Sequence, residues 1–208
     1  MNPSKKQNLL LVVLIIFYTV GLIGLHTSSR LSFLALTPFN LILSFACLYL
    51  SYKDYSLRKH IDILLIAVAG FTIEWIGVHT SLLFGHYQYG TFLGYKVGGI
   101  PLTIALNWVL LTFTSTAIVN KWQIPLILKA LIAGALMTGL DWFIEPVAIR
   151  SGFWSWQNNI IPIYNYICWM AFSSVFCYWV LSRKTVETNK VSVGLYLILV
   201  IFFAILNR

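Results

Sequence analysis

With 208 residues, 59% of them hydrophobic and only 10% charged, the chain lies far from the composition of a soluble domain, in which roughly 25% of residues are charged. The net charge of +8 does not point to nucleic acid, because the basic residues sit in short loops between apolar runs, where membrane topology accounts for them. The composition predicts an all-α polytopic membrane protein, a single helical domain over residues 1–208 with no separate soluble part.

Apolar runs of the length that crosses a bilayer, about 20 residues, recur at 8–26, 31–52, 61–83, 99–119, 123–144, 162–182 and 191–206. They predict about seven transmembrane helices in one bundle. A cytoplasmic N-terminus puts Lys5, Lys6, Lys53, Arg58, Lys59, Lys121, Lys129, Arg183, Lys184 and Lys190 inside, and leaves Arg30, Lys96, Arg150 and Arg208 outside. That asymmetry predicts this orientation, and the membrane is expected to be a bacterial inner membrane. The first run follows a lysine pair, but it is long and no small-x-small site follows, so it is expected to stay as an uncleaved anchor. Thr37-Pro38 is expected to kink the second run. Neither run, nor the aliphatic seventh, carries a chemical signature. Cys47, Cys168 and Cys177 all fall inside runs and read as small packing residues.

The third run changes character. Gly70, Glu74, Gly77 and Ser81 recur at helical spacing, so they share one face on which small residues permit close packing and turn Glu74 into the bundle. The fifth run repeats the device with Gly134, Thr138, Asp141 and Glu145. Pro146 is expected to end that helix, leaving Glu145 near the outer surface. Between the third and fourth runs lie Gly85-His86-Tyr87-Gln88-Tyr89-Gly90 and Gly98-Gly99-Ile100-Pro101, and after the fifth comes Gly152-Phe153-Trp154-Ser155-Trp156. Glycine and aromatic residues at this density predict an interfacial cap. The fourth run sets Thr103, Asn107 and Thr114 on one face, and the sixth aligns Asn165, Trp169, Phe172, Phe176 and Trp179. That aromatic stripe reads as core packing or as the lining of a slot for a long polyene. Asp54, Asp62 and Glu187 fall at run ends or in loops and are expected to be solvated.

An acidic residue inside a membrane helix is costly and needs a partner, a cavity or a function. The bland reading makes Glu74 a helix-packing hydrogen bond and Asp141 an interfacial cap or ion pair. The order of the motifs favours a function. Glu74 to Thr80 followed by Phe84-Gly85-His86-Tyr87-Gln88-Tyr89, then Leu93-Gly94, Gly99-Ile100-Pro101, Trp108, Asp141 with Glu145-Pro146, the Gly152–Trp156 block, and Pro162 through Asn165 to Trp169 together resemble one family. It is that of the integral-membrane carotenoid-biosynthesis proteins, which includes carotenoid hydratases of the CruF and bisanhydrobacterioruberin hydratase type. The resemblance covers roughly residues 70–170, and it departs from the pattern at Cys168 and Ile160, where glycine is expected.

The resemblance implies addition of water to the terminal double bond of an acyclic carotenoid end, giving a tertiary alcohol. Such a reaction needs a proton donor, a stabilised tertiary cation and a positioned water. A carboxyl group kept from water favours its neutral form, and two close carboxyls can divide into acid and base. Asp141 is the expected donor and Glu74 the residue that orients water, with the roles exchangeable and Glu145 a proton relay. Trp75, Trp108 and Trp142 are expected to stabilise the cation through their ring faces. The substrate-binding set also takes in His79, His86, Tyr87, Tyr89, Asn107, Trp154, Trp156, Asn165 and Trp169. Four histidines are too few for the clustered boxes of membrane di-iron enzymes, and no dinucleotide fingerprint is present, so no metal and no cofactor is expected. The seventh run has no lysine for a retinal Schiff base. The expected partners are an acyclic carotenoid, membrane lipid and other enzymes of the carotenoid pathway. A membrane lycopene-cyclase-like enzyme and a non-catalytic carotenoid-binding or transport protein are the alternatives.

Overall fold

The computed structural model describes residues 2–208 and is mostly helical. Its helices are α1 (Pro3–Leu25), α2 (Arg30–Ala35), α3 (Thr37–Leu50), α4 (Leu57–Thr80), α5 (Leu102–Val119), α6 (Leu126–Arg150), α7 (Ile163–Ser182) and α8 (Lys190–Leu206). The second apolar run is two helices, broken at Leu36 just before Pro38, where a kink is expected. Four helices, α1, α4, α5 and α6, are long and apolar enough to cross a membrane. Helices α3 and α8 are apolar but shorter, and α7, at 20 residues, is less apolar.

Helix α5 is the axis. Every side chain from Trp108 to Ala117 is buried, because α3, α4, α6, α7 and α8 all pack on it. A helix surrounded in this way has no polar face, and its hydroxyls turn back on the backbone: Thr114 Oγ1 donates to the Leu110 carbonyl at 2.6 Å and Ser115 Oγ to that of Leu111 at 2.7 Å. Small residues on the neighbouring helices set the packing distances. A side chain at Gly70 would meet the Trp108 ring at 2.5 Å, and one at Gly134 would meet Ser174 on α7, including its backbone nitrogen at 3.0 Å. The pairing of α6 with α7 is the most extensive in the bundle.

The two ends of the bundle differ. At one end the 51–56, 120–125 and 183–189 loops meet, with Asp54 and Lys53 donating backbone N–H groups to Glu187. Here two acids expected to be solvated are not. Asp62 is completely buried one turn inside α4, where it accepts from Arg183 Nε at 2.5 Å, Thr185 Oγ1 at 2.7 Å and Trp179 Nε1 at 3.1 Å. Glu187 is half-buried and pairs with the buried Lys59. Asp54 is exposed, as expected.

At the other end the two glycine-rich loops form a cap, and it contains short strands that helical periodicity does not report. Strand β1 (Tyr87–Tyr89) pairs antiparallel with β4 (Trp154–Trp156), in the register Tyr87 with Trp156 and Tyr89 with Trp154. A second ribbon joins β2 (Lys96–Val97) to β3 (Ile100–Pro101). The loops cross where Gly90 donates its N–H to the Phe153 carbonyl at 2.8 Å; a Cβ on Gly90 would lie 1.9 Å from the Gly152 carbonyl oxygen.

Helix α6 overturns one expectation. It does not end at Glu145 but runs through Pro146 to Arg150. An internal proline costs a helix about 3 kcal/mol, but unpairing the whole last turn in apolar surroundings costs more. Continuing the helix keeps Asp141 and Glu145 one turn apart on the same face.

The packing argument gives a paired prediction. Gly134→Ala, forced against the α7 backbone, lowers stability by about 1–3 kcal/mol. Gly139→Ala, on a face with nothing within 4 Å, leaves stability unchanged or raises it by up to about 1 kcal/mol. Thermal unfolding of the two proteins in the same detergent separates them, and equal melting points would refute the packing account.

Candidate active site

The three acids singled out by the sequence come together. Glu74 from α4 and Asp141 and Glu145 from α6 line one small cavity beneath the cap, each 4% exposed or less. Glu145, expected near the surface, is as buried as the other two. Neither of the ion pairs among the described residues involves them. They are held instead by neutral donors.

Glu74 accepts three hydrogen bonds. Tyr87 and Tyr89 hydroxyls reach Oε2 at 2.5 and 2.7 Å, and Trp108 Nε1 reaches Oε1 at 3.0 Å. Glu145 also accepts three, from Trp154 Nε1 and Trp156 Nε1, both 2.9 Å from Oε2, and from Asn165 Nδ2, 3.2 Å from Oε1. The local cause is the strand pair. Residues two apart on a strand face the same way, so Tyr87-x-Tyr89 aims two hydroxyls at one glutamate and Trp154-x-Trp156 aims two indoles at the other. Burial and the adjacent Glu74 hold the Tyr87 and Tyr89 phenols well above the usual tyrosine range, so both remain donors. Asp141 is served least, by Asn165 Nδ2 alone at 3.4 Å. An ionised carboxylate offers about four acceptor sites. Glu74 and Glu145 each have three filled, and Asp141 has one.

The cavity measures about 30 Å³. A water needs about 10–15 Å³ measured this way, so there is room for one or two. Asn107, Asn165 and Trp169 complete its polar and aromatic lining with Tyr87, Tyr89, Trp154 and Trp156. Trp169 stacks on Trp108 with ring centroids 4.3 Å apart and planes 9° apart, which fixes the indole that holds Glu74. Among the described residues no group of three His, Cys, Asp or Glu side chains is placed to hold a metal ion.

Five residues of the expected substrate-binding set do not line the cavity: Trp108 lies behind it, its indole N–H on Glu74, and four are farther out. Trp75 is 44% exposed and stacks on His79 at 4.4 Å, and Trp142 is 62% exposed and packs on Tyr166 at 4.9 Å. Each tryptophan follows a buried acid, and successive helix residues are about 100° apart, so burying the acid turns its neighbour outward. Trp75 and Trp142 therefore cannot face a cation in the cavity. His79 bonds its own helix, Nδ1 donating to the Trp75 carbonyl at 2.8 Å, and the exposed His86 is bonded to Ser81 Oγ at 2.8 Å.

A feature absent from the sequence reading adjoins the cavity. A groove of about 260 Å³ runs between α1, α2, α3, α5, α6 and α8, walled by apolar side chains such as Phe17, Phe39, Leu111 and Phe202. It shares Ile104, Asn107, Ile144 and Trp154 with the acid cavity. The aromatic stripe of α7 contributes nothing to it: Trp169 and Phe176 pack on Trp108, and Trp179 donates to Asp62. Of the two readings of that stripe the structure shows core packing, and the apolar space lies across the bundle, largely on helices that carry no motif. Its signal in the sequence is weak, because aliphatic walls look the same whether they face lipid, core or ligand.

Buried acids lie beneath an aromatic cap, and an apolar groove adjoins them. A family model described as carotenoid biosynthesis protein matches residues 35–208. The chain belongs to that carotenoid biosynthesis family. The match reaches well past the motif-bearing stretch, from α3 to the end of α8. No curated protein matches the chain, and no solved structure does.

The geometry of the site separates two tryptophans. Trp156→Phe removes an N–H donor from Glu145 and keeps a ring in place, at an expected cost of about 1–3 kcal/mol. Trp75→Phe, outside the cavity, stays within about 0.5 kcal/mol of the unaltered protein. Thermal unfolding in detergent measures both, and a Trp75 effect as large as that of Trp156 would contradict the assignment.

Proposed function

We propose that the protein is a cofactor-independent hydratase that adds water to the terminal double bond of an acyclic carotenoid end group, leaving a tertiary alcohol. The observation that carries this reading is the meeting of three buried, unevenly served carboxyls with a water-sized cavity and an apolar groove. The groove takes the hydrocarbon end from the membrane, and the shared wall at Ile104 and Ile144 delivers its double bond to the acids.

The donor sets support a division of labour. Indole and amide N–H groups only donate, so Glu145, facing three of them, is suited to remain a carboxylate. Glu74 with its three donors is suited to the same state and keeps one open acceptor site for a water. Asp141 has the fewest donors to satisfy and is the acid best fitted to carry a proton. Proton transfer from Asp141 to the less substituted alkene carbon forms a C–H bond and leaves a tertiary cation. Water oriented by Glu74 closes the C–O bond and gives Glu74 its proton. Glu145, tied to Asp141 through Asn165, is a relay for restoring the donor. Trp169, stacked and facing the cavity, takes the cation-stabilising role expected of Trp75 and Trp142.

The same reading takes seven crossings of the bilayer, with α2 and α3 together making the second, and a cytoplasmic N-terminus in a bacterial inner membrane. Lys59, Lys129 and Arg183 at the end opposite the cap fit that orientation. Membrane lipid and the other carotenoid enzymes that supply and consume the polyene are the partners it implies.

The test is expression in a bacterium that accumulates an acyclic carotene, with mass analysis of the pigments. A hydratase yields a product heavier by one water. An isomer of unchanged mass with a ring would support a cyclase, and no new product would support a binding protein. Asp141→Asn lowers the hydrated product by about 100-fold or more, in line with loss of a general acid, while the protein still accumulates in the membrane. Undiminished product from that variant would remove Asp141 from the role.

A further inference from the structure

We propose that Asn107 holds the water that captures the cation, and so decides whether the protonated end group leaves as an alcohol or as a rearranged alkene. The proposal rests on the hydratase reading above. It begins from an unused amide. Asn107 is partly buried on α5 and lines both the acid cavity and the apolar groove, yet its side chain makes no hydrogen bond to any described residue. Asn165 donates to Asp141 and Glu145, and Asn120 to the Val186 carbonyl and Thr188; Asn40, whose buried Oδ1 is also unpartnered, lines the groove on α3 but not the acid cavity. An amide with two N–H donors and a carbonyl acceptor is out of place in an apolar wall unless something there is to be bound.

The other shared wall residues cannot take that role. Ile104 and Ile144 are aliphatic, and the Trp154 indole N–H is committed to Glu145 at 2.9 Å. Asn107 is thus the polar group with spare capacity at the seam where an incoming alkene would meet the acids. The cavity beside it has room for one or two waters. A water there accepts from the Asn107 amide with one lone pair and donates to the open acceptor site of Glu74. Its second lone pair is left to form the C–O bond. The oxygen's surplus proton passes to Glu74, so charge and atoms balance. Without a held water, the same cation is quenched by loss of a proton from an adjacent carbon to a carboxylate. The electron pair of that C–H bond becomes a new double bond, and the product is an isomer of unchanged mass.

The two outcomes can be read separately. Membranes containing the protein are incubated with an acyclic carotene in deuterated buffer, and both the hydrated product and deuterium in the recovered carotene are measured. With Asn107→Leu, the hydrate is expected to fall about tenfold, while deuterium continues to enter the carotene and a shifted-alkene isomer accumulates. Asn107→Ser, smaller and still polar, lies between the two and is read in the same way if the leucine variant does not accumulate. Hydrate and deuterium falling together would show Asn107 to be structural, and an unchanged hydrate would show it to be idle; either overturns the proposal. Absence of hydrate from the unaltered protein is a different result, which removes the hydratase reading itself.

Discussion

The structure depends on keeping three carboxyl groups in an apolar bundle with no cation paired to them among the described residues. Leaving a buried polar group unbonded costs several kilocalories per mole, and a bare charge costs far more. The chain meets the demand with donors that carry no charge: two phenols and an indole for Glu74, two indoles and an amide for Glu145. Most of these donors lie on β1 and β4, and the register of the two strands puts each aromatic pair over its own acid. The cap is therefore more than a plug at the end of a bundle, since without it two of the acids lose most of their partners. Several other features follow from the same demand. Helix α6 continues through Pro146 because Asp141 and Glu145 have to share a face, and Gly70 lacks a side chain because Trp108 has to reach Glu74 past it.

The opposite end of the bundle shows the other solution. Asp62 is as deeply buried as Asp141, but it meets Arg183, and Lys59 meets Glu187. A guanidinium or ammonium group favours the charged form of a carboxyl and opposes its protonation. Indole, phenol and amide donors support an anion without adding a full positive charge, so a proton can still be exchanged at modest cost. One chain uses cations where an acid has only to tie loops together, and neutral donors where three acids share a cavity. That contrast argues against reading the cap-end acids as structural pins alone.

Much of this is legible in the sequence. Charges in long apolar runs stand out at once, and the small residues at helical spacing around Glu74 and Asp141 identify the faces on which they are buried. What stayed hidden has physical reasons. Asp62 lies so near the start of its run that the residues alone do not show whether Arg183 and Trp179 will fold over it. The local preference of Pro146 points to a helix end at Glu145, but an unpaired turn in apolar surroundings costs more than the proline does. The strands were concealed by their length: Tyr-x-Tyr and Trp-x-Trp are three residues each, too short for a period of two to be distinguished from chance, although that period is what brings each pair to one carboxyl. Trp75 and Trp142 neighbour the acids in sequence, but on a helix sequence neighbours point apart.

The groove is the feature the sequence hides most completely, and its position bears on what the site can recognise. Its walls come from α1, α2, α3 and α8 as well as from α5 and α6, and the first four contain none of the acids. Recognition of a hydrocarbon requires shape and exclusion of water, which Leu, Ile and Phe supply in many arrangements, so no motif marks it. The family model nevertheless extends over α3 and α8, well outside the acid-bearing stretch. Those helices have no chemical group to offer the cavity; what they offer is the groove. A binding surface made largely by motif-free helices, opening through Asn107 and two isoleucines onto a chamber the size of a water, separates the two tasks. In the proposed reaction, the groove's shape would bring in the apolar chain, and the small chamber would hold the water and the acids that its end meets.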